Sequence, residues 1–120
     1  MRVSAIGLGE MPLSLRGRPD EDQALRTIHA SLDAGVTLID TADAYCEGPH
    51  DFGHGERLVA KALSTYGGDT SEILVATKGG HLRHEDGGWY VDGRPDHIER
   101  ACEASLKALG VEAIGLYQHH

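Results

Sequence analysis

Three stretches of helical periodicity, each stopped by glycine, alternate along this chain with four short apolar runs of strand length. That alternation constrains the fold more than any other feature. In the first helical stretch Leu25, Ile28 and Leu32 form an apolar stripe. Asp20 and Gln23 stand at capping-box spacing before it and Gly35 follows it, which predicts a helix over 20–34. The second carries Leu58, Val59, Ala62, Leu63 and Tyr66 on one face, begins near Glu56 and stops at Gly67 and Gly68. The third opens with Pro95, Asp96 and Glu99 in the same capping-box relation, runs through Ile98, Cys102, Ser105, Leu106 and Leu109, and stops at Gly110. The apolar runs at 3–8, 36–39, 73–76 and 113–117 show little alternation of period two, as expected of strands covered on both faces of a parallel sheet. The order is then β-α-β-α-β-α-β, an α/β class built from right-handed crossovers, forming one domain over 1–120 with no internal linker. Residues 46–55 and 79–94 are glycine-rich and read as long loops. Each follows a strand and precedes a helix, on the face where α/β proteins place their sites.

Composition excludes several kinds of function. The chain has 120 residues, 40% of them hydrophobic and 25% charged, and no stretch approaches the ~18 apolar residues of a membrane span. Nineteen acidic residues against eleven basic ones give a net charge of −8, and no Lys/Arg cluster could follow a phosphate backbone, so nucleic acid is not an expected partner. The first residues lack the apolar run of a secretory signal, so a cytoplasmic location is expected. Cys46 and Cys102 make no zinc-type spacing and are expected to be reduced thiols.

Chemistry gathers where the strands end. The second strand runs into Ile39-Asp40-Thr41-Ala42-Asp43-Ala44-Tyr45, the third into Ala76-Thr77-Lys78-Gly79-Gly80, and the fourth into Leu116-Tyr117-Gln118-His119-His120. Neighbouring strands lie about 4.8 Å apart, so an acid, a phenol, a lysine and an imidazole can meet on one rim. A lysine near the end of an apolar strand is partly desolvated and needs a carboxylate partner; Asp40 is the obvious one.

These same residues, with Ser105-Leu106-Lys107-Ala108-Leu109-Gly110 and the opening Gly7-Leu8-Gly9-Glu10-Met11, resemble the aldo-keto reductases over essentially the whole chain. The resemblance implies the N-terminal half of a (β/α)8 TIM barrel, about four βα units with parallel strands. It also implies NADPH-dependent reduction of an aldehyde or ketone to an alcohol. The catalytic tetrad of that family falls on Asp40, Tyr45, Lys78 and His120, with His119 as the alternative histidine, and nicotinamide contacts fall on Gly9, Met11 and Asp40. A free phenol, with a pKa of about 10, is too weak an acid at neutral pH, and a neighbouring cation favours its ionised form. Lys78 would supply that cation, Asp40 would hold the lysine, and His120 could orient the carbonyl. A dinucleotide-binding glycine motif of the Rossmann type fails, because Pro12 stands where its third glycine should be.

The sequence departs from the family pattern at Gly115, where most members have aspartate, at Ala108, where many have arginine, and at Gly55, where asparagine or serine is common. Glu56 matches, and is expected to cap the second helix. Phe52, Trp89 and Tyr90 could form an aromatic wall for the carbonyl compound. Eight histidines raise a metal-binding alternative at Cys46, His50, His54, His81, His84, His119 and His120, yet these lie among glycine and proline in loops, so no metal is expected. An eight-stranded barrel needs about 250 residues. The chain is therefore expected to be a fragment of a longer reductase, with a non-catalytic half-barrel that self-associates through its open sheet edge as the alternative.

Overall fold

The computed structural model describes residues 1–120. In chain order its elements are β1 (Leu8–Gly9), α1 (Glu21–Asp33), β2 (Leu38–Asp40), α2 (His54–Thr65), β3 (Leu74–Gly79), β4 (His81–Arg83), β5 (Trp89–Val91), α3 (Pro95–Leu109) and β6 (Leu116–His119). Short 3-10 turns occupy Met11–Leu13 and Pro49–Asp51. β1, β2, β3 and β6 lie side by side in that order, every pair parallel, so the α/β class and the sheet are those expected. The register sets Gly9 beside Asp40, Asp40 beside Ala76, and Lys78 beside Gln118. The strand ends therefore form one rim. No helix is long and apolar enough to cross a membrane.

Local chemistry explains most of the boundaries. The Asp20 carboxylate accepts from the Gln23 amide at 2.8 Å and caps α1, and Gly35 takes the left-handed conformation (φ 91°) just past its end. Only half of the capping box forms, because the Gln23 side-chain oxygen accepts from Arg26 at 2.9 Å instead of from the Asp20 amide. α3 ends at Gly110 (φ 68°), whose amide donates to the Leu106 and Lys107 carbonyls. Its start differs from the expected capping box. Pro95 opens the helix after Arg94, no side chain caps it, and Asp96 pairs with Arg100 one turn on.

Three further expectations are corrected. Residues 3–8 do not form the first strand: Ser4 and Thr37 exchange side-chain bonds, each backbone amide donating to the other's hydroxyl at 2.8 and 2.9 Å, and ladder pairing begins only at Leu8. Residues 79–94 are no plain loop but hold the antiparallel hairpin of β4 and β5, turning through Glu85-Asp86-Gly87, where the Gly87 amide donates to the His84 carbonyl at 2.9 Å. The outer strand β6 is not covered on both faces, since Leu116 and His119 are exposed.

The core lies between the helices and the sheet. Ala24, Ile28 and Leu32 of α1 meet Ile39 of β2 and Leu58, Val59 and Ala62 of α2, each buried. In α3 Ser105 and Leu109 of the expected stripe are buried together with Ala101, while Ile98, Cys102 and Leu106 are only partly covered.

Beside this core sits an uncommon polar cluster. Glu10 is 0% exposed, accepting from the Ser14 hydroxyl and, at 2.8 Å, from the Thr41 hydroxyl; His54 Nδ1 bonds Ser14 Oγ at 2.8 Å. Burial pushes the Glu10 carboxyl above the ordinary carboxylate range, against the pull of these two hydroxyls. Gly55 makes room for it. A Cβ at position 55 would stand 2.4 Å from Glu10 Oε2 and 2.7 Å from Thr41 Oγ1, both held in place. Gly55→Ala is therefore expected to cost about 1–3 kcal/mol in denaturant unfolding, the usual range for overpacking. A variant as stable as the native chain would contradict this packing. Gly115 is similarly confined, its Cβ position lying 2.4 Å from Leu74 Cδ1.

Candidate active site

Asp40 closes β2, Lys78 is the penultimate residue of β3, and Tyr45 stands in the tight buried segment that follows β2. Backbone bonds fix that segment. The Thr41 and Asp43 amides donate to the Ala76 and Lys78 carbonyls at 2.8 and 3.2 Å, and the Gly53 and Gly55 amides donate to the Asp43 and Tyr45 carbonyls at 2.7 and 3.1 Å. The segment is thus clamped between β3 and the start of α2.

Lys78 is the hub. Its ammonium donates to Asp40 Oδ2 at 2.7 Å, to the Thr41 carbonyl at 2.8 Å and to the Tyr45 hydroxyl at 3.1 Å. With its side chain 13% exposed against 39% for Asp40, the lysine is nearly dry while its carboxylate still touches solvent. All three N–H bonds of the ammonium are used, so its position is determined.

His120 completes the group. Its ring meets the Tyr45 ring edge-on at 5.8 Å between centroids and stacks on His81 at 3.8 Å. Burial, with His81 and Lys78 nearby, pulls its pKa down to about 4, so the imidazole is neutral at ordinary pH. Its Nδ1 is buried without a partner. His119 stands apart: it is exposed, on the opposite face of β6, as strand alternation requires. Thus Asp40, Tyr45, Lys78 and His120 are brought together and His119 is not.

Gly9 adjoins Asp40 in the ladder, and a Cβ there would meet nothing within 4 Å, so the surface above it is open. Met11 is exposed in the turn that follows. The two residues and Asp40 thus border open space at the strand ends.

Other participants were not singled out from sequence. Gln118 donates to Asp40 Oδ1 at 3.1 Å, so the carboxylate is held by both of its oxygens. The signal was there: Gln118 lies two residues before His120 and so shares its face of β6. Arg83 is buried, donates to the Ala44 and Cys46 carbonyls and, at 2.6 Å, to that of Gly87, and packs against Trp89 at 3.9 Å. It ties the hairpin to the Tyr45 segment and brings Trp89 within 6.5 Å of the His120 ring. Tyr90 instead stacks on His84, and Phe52 lines a cavity between α2 and α3, so the three expected aromatics do not form one wall. Glu56 is no helix cap either. It is buried, and its Oε1 accepts from the Thr77 hydroxyl of β3 at 2.6 Å.

A model of the aldo/keto reductase family matches residues 5–120, nearly the whole chain and every residue of this cluster. The chain belongs to the aldo/keto reductase family. Its fold is that of three βα units and a fourth strand of a (β/α)8 barrel. It is 37% identical over 122 residues to aldo-keto reductase YhdN of Bacillus subtilis (strain 168), covering 100% of this chain and 35% of that protein. It is 36% identical to 6-dehydroglucose reductase of Novosphingobium aromaticivorans, covering 98% of this chain and 38% of that protein. Among solved structures, the holo form of aldo-keto reductase AKR11C1 from Bacillus halodurans superposes with a TM-score of 0.79 at 37% identity, over 100% of this chain and 37% of that one. The chain thus spans little more than a third of the length of these relatives.

Proposed function

We propose that this chain carries the acid–base centre of an NADPH-dependent carbonyl reductase that converts an aldehyde or ketone to an alcohol. The observation that carries the proposal is the lysine bonded at once to Asp40, the Thr41 carbonyl and the Tyr45 hydroxyl. Tyr45 is the proton donor. As its O–H bond breaks, negative charge develops on an oxygen 3.1 Å from a fixed ammonium, which stabilises the phenolate. Asp40 keeps Lys78 charged and positioned, and Gln118 in turn fixes Asp40. His120, neutral at ordinary pH, orients the carbonyl oxygen toward Tyr45 by a hydrogen bond without competing as an acid.

NADPH, when bound, supplies the hydride. Gly9, Met11 and Asp40 would hold its nicotinamide, and they suit a flat ring: open space above Gly9, an exposed thioether at Met11 and a half-exposed carboxylate. The holo form of the Bacillus halodurans relative supports the presence of a cofactor in this architecture. The test is turnover in a complete barrel that includes these 120 residues. Given NADPH and a panel of aldehydes and ketones, it should consume cofactor and release the matching alcohol. Saturation with cofactor but no turnover of any carbonyl in the panel would contradict the proposal.

A further inference from the structure

A cavity of about 350 Å³ lies between α2, α3 and the loop joining Asp43 to Gly53. Asp43, Glu56, Arg57, Lys107, Phe52 and Ala108 line it. Asp43 is 2% exposed and neither of its carboxylate oxygens has a hydrogen-bond partner; the adjacent Ala44 amide approaches without the geometry for a bond. The Tyr117 hydroxyl, buried close enough to feel the Asp43 charge, is unpartnered as well, whereas the Ser105 hydroxyl faces Glu56. Native folds rarely leave so many buried polar atoms unpaired in one region.

The lining has a direction. Its two acids are buried and its two bases, Arg57 and Lys107, are exposed. The Arg57 guanidinium gives one donor each to the Phe52 and Asp51 carbonyls and none to Asp43, which leaves its other N–H groups for a ligand at the rim. No group of carboxylates, histidines and cysteines here is arranged for a metal ion. Apolar walls at Phe52 and Ala108 suit a weakly hydrated planar cation that can fork onto a carboxylate, which describes guanidinium better than ammonium. The basic rim calls for an anionic tail.

We propose that this cavity binds a small zwitterion, its guanidinium head on Asp43 and its carboxylate on Arg57 and Lys107. The charged and titratable groups around Asp43 are Cys46, Glu56, Arg57, Lys78, Lys107 and Tyr117. Burial, reinforced by Glu56, pushes the Asp43 carboxyl up to about 8, so below that pH the empty site holds a proton there. Binding the head displaces that proton. Affinity should therefore rise by about tenfold per pH unit as pH approaches 8 and level off above it.

The test uses the native chain with guanidinoacetate, methylguanidinium and acetate as probes, followed by amide chemical shifts near Gly53 and by calorimetry. Guanidinoacetate is expected to bind with a dissociation constant on the order of 1 mM at pH 8.5, methylguanidinium more weakly, and acetate not at all. Asp43→Asn, which keeps the shape, should abolish binding of both guanidinium probes, whereas Arg57→Gln with Lys107→Gln should weaken guanidinoacetate alone. No binding, binding that survives in Asp43→Asn, or equal affinity for methylguanidinium and guanidinoacetate would each overturn the proposal. The readout requires no turnover, so it stands or fails separately from the reductase reading.

Discussion

Lys78→Met should lower the rate of carbonyl reduction by about 10²–10⁴-fold in a complete barrel containing these residues, the range lost with an acid–base group. Methionine matches the lysine in length but has no donor. The Tyr45 hydroxyl then loses the ammonium 3.1 Å away, and Asp40 loses its partner at 2.7 Å. Folding should suffer far less, by about 1–3 kcal/mol, because Asp40 is half-exposed, keeps Gln118 and can be rehydrated. Lys78→Arg should not restore the rate, since a planar fork cannot point three donors at Asp40, the Thr41 carbonyl and Tyr45 together. Steady-state kinetics with a thermal melt on each variant checks this. A rate within threefold of the native one in Lys78→Met would mean that the lysine hub is structural.

The second large effect concerns stability. Asp43 keeps its proton in the folded chain up to about pH 8, whereas the unfolded chain releases it near the ordinary value of 3.8. The direction follows from linkage. Between these values the folded state binds more protons, so native stability falls as pH rises from about 4 to 8 and levels off above. Asparagine has the same shape and does not titrate. Asp43→Asn is therefore expected to match the native chain near pH 4 and to exceed it above pH 8 by several kcal/mol, at roughly 1.4 kcal/mol per pH unit crossed. Urea unfolding at pH 4, 6 and 8.5 gives the comparison. A difference that stays constant with pH would show that Asp43 finds a partner in solution.

Much of this was legible in the sequence because it depends on near neighbours. Asp20 caps the helix that starts beside it, Gly35 and Gly110 end helices in the left-handed conformation only glycine adopts readily, and apolar runs between helices force a parallel sheet. The pairing of Lys78 with Asp40 was readable for a related reason: two strand ends of one parallel sheet must adjoin, and a half-buried lysine requires an acid. The hairpin has a local signature that the surrounding glycines mask: Glu85-Asp86 followed by Gly87 in the left-handed conformation turns the chain between His81-Leu82-Arg83 and Trp89-Tyr90-Val91.

Other features depend on residues distant in sequence, and no local pattern announces them. Glu10 looks like a surface acid after a strand until Thr41 and Gly55 close around it. Glu56 sits where a helix cap belongs, yet its partner is Thr77 on a strand. The first strand is shorter than its apolar run because the Ser4 and Thr37 hydroxyls take the bonds a ladder would make there. Asp43, between Ala42 and Ala44, carries no sign of how deeply it is buried.

The central claim is that Tyr45 gives up the proton while the cofactor is held elsewhere. Measuring turnover and NADPH affinity side by side in Tyr45→Phe tests it most directly. Carbonyl reduction should be lost to background, with the cofactor dissociation constant within about twofold of native, because phenylalanine keeps the ring that packs against His120 and removes only the oxygen at Lys78. Retained turnover in Tyr45→Phe would contradict the assignment of the proton donor and, with it, the reading of this site.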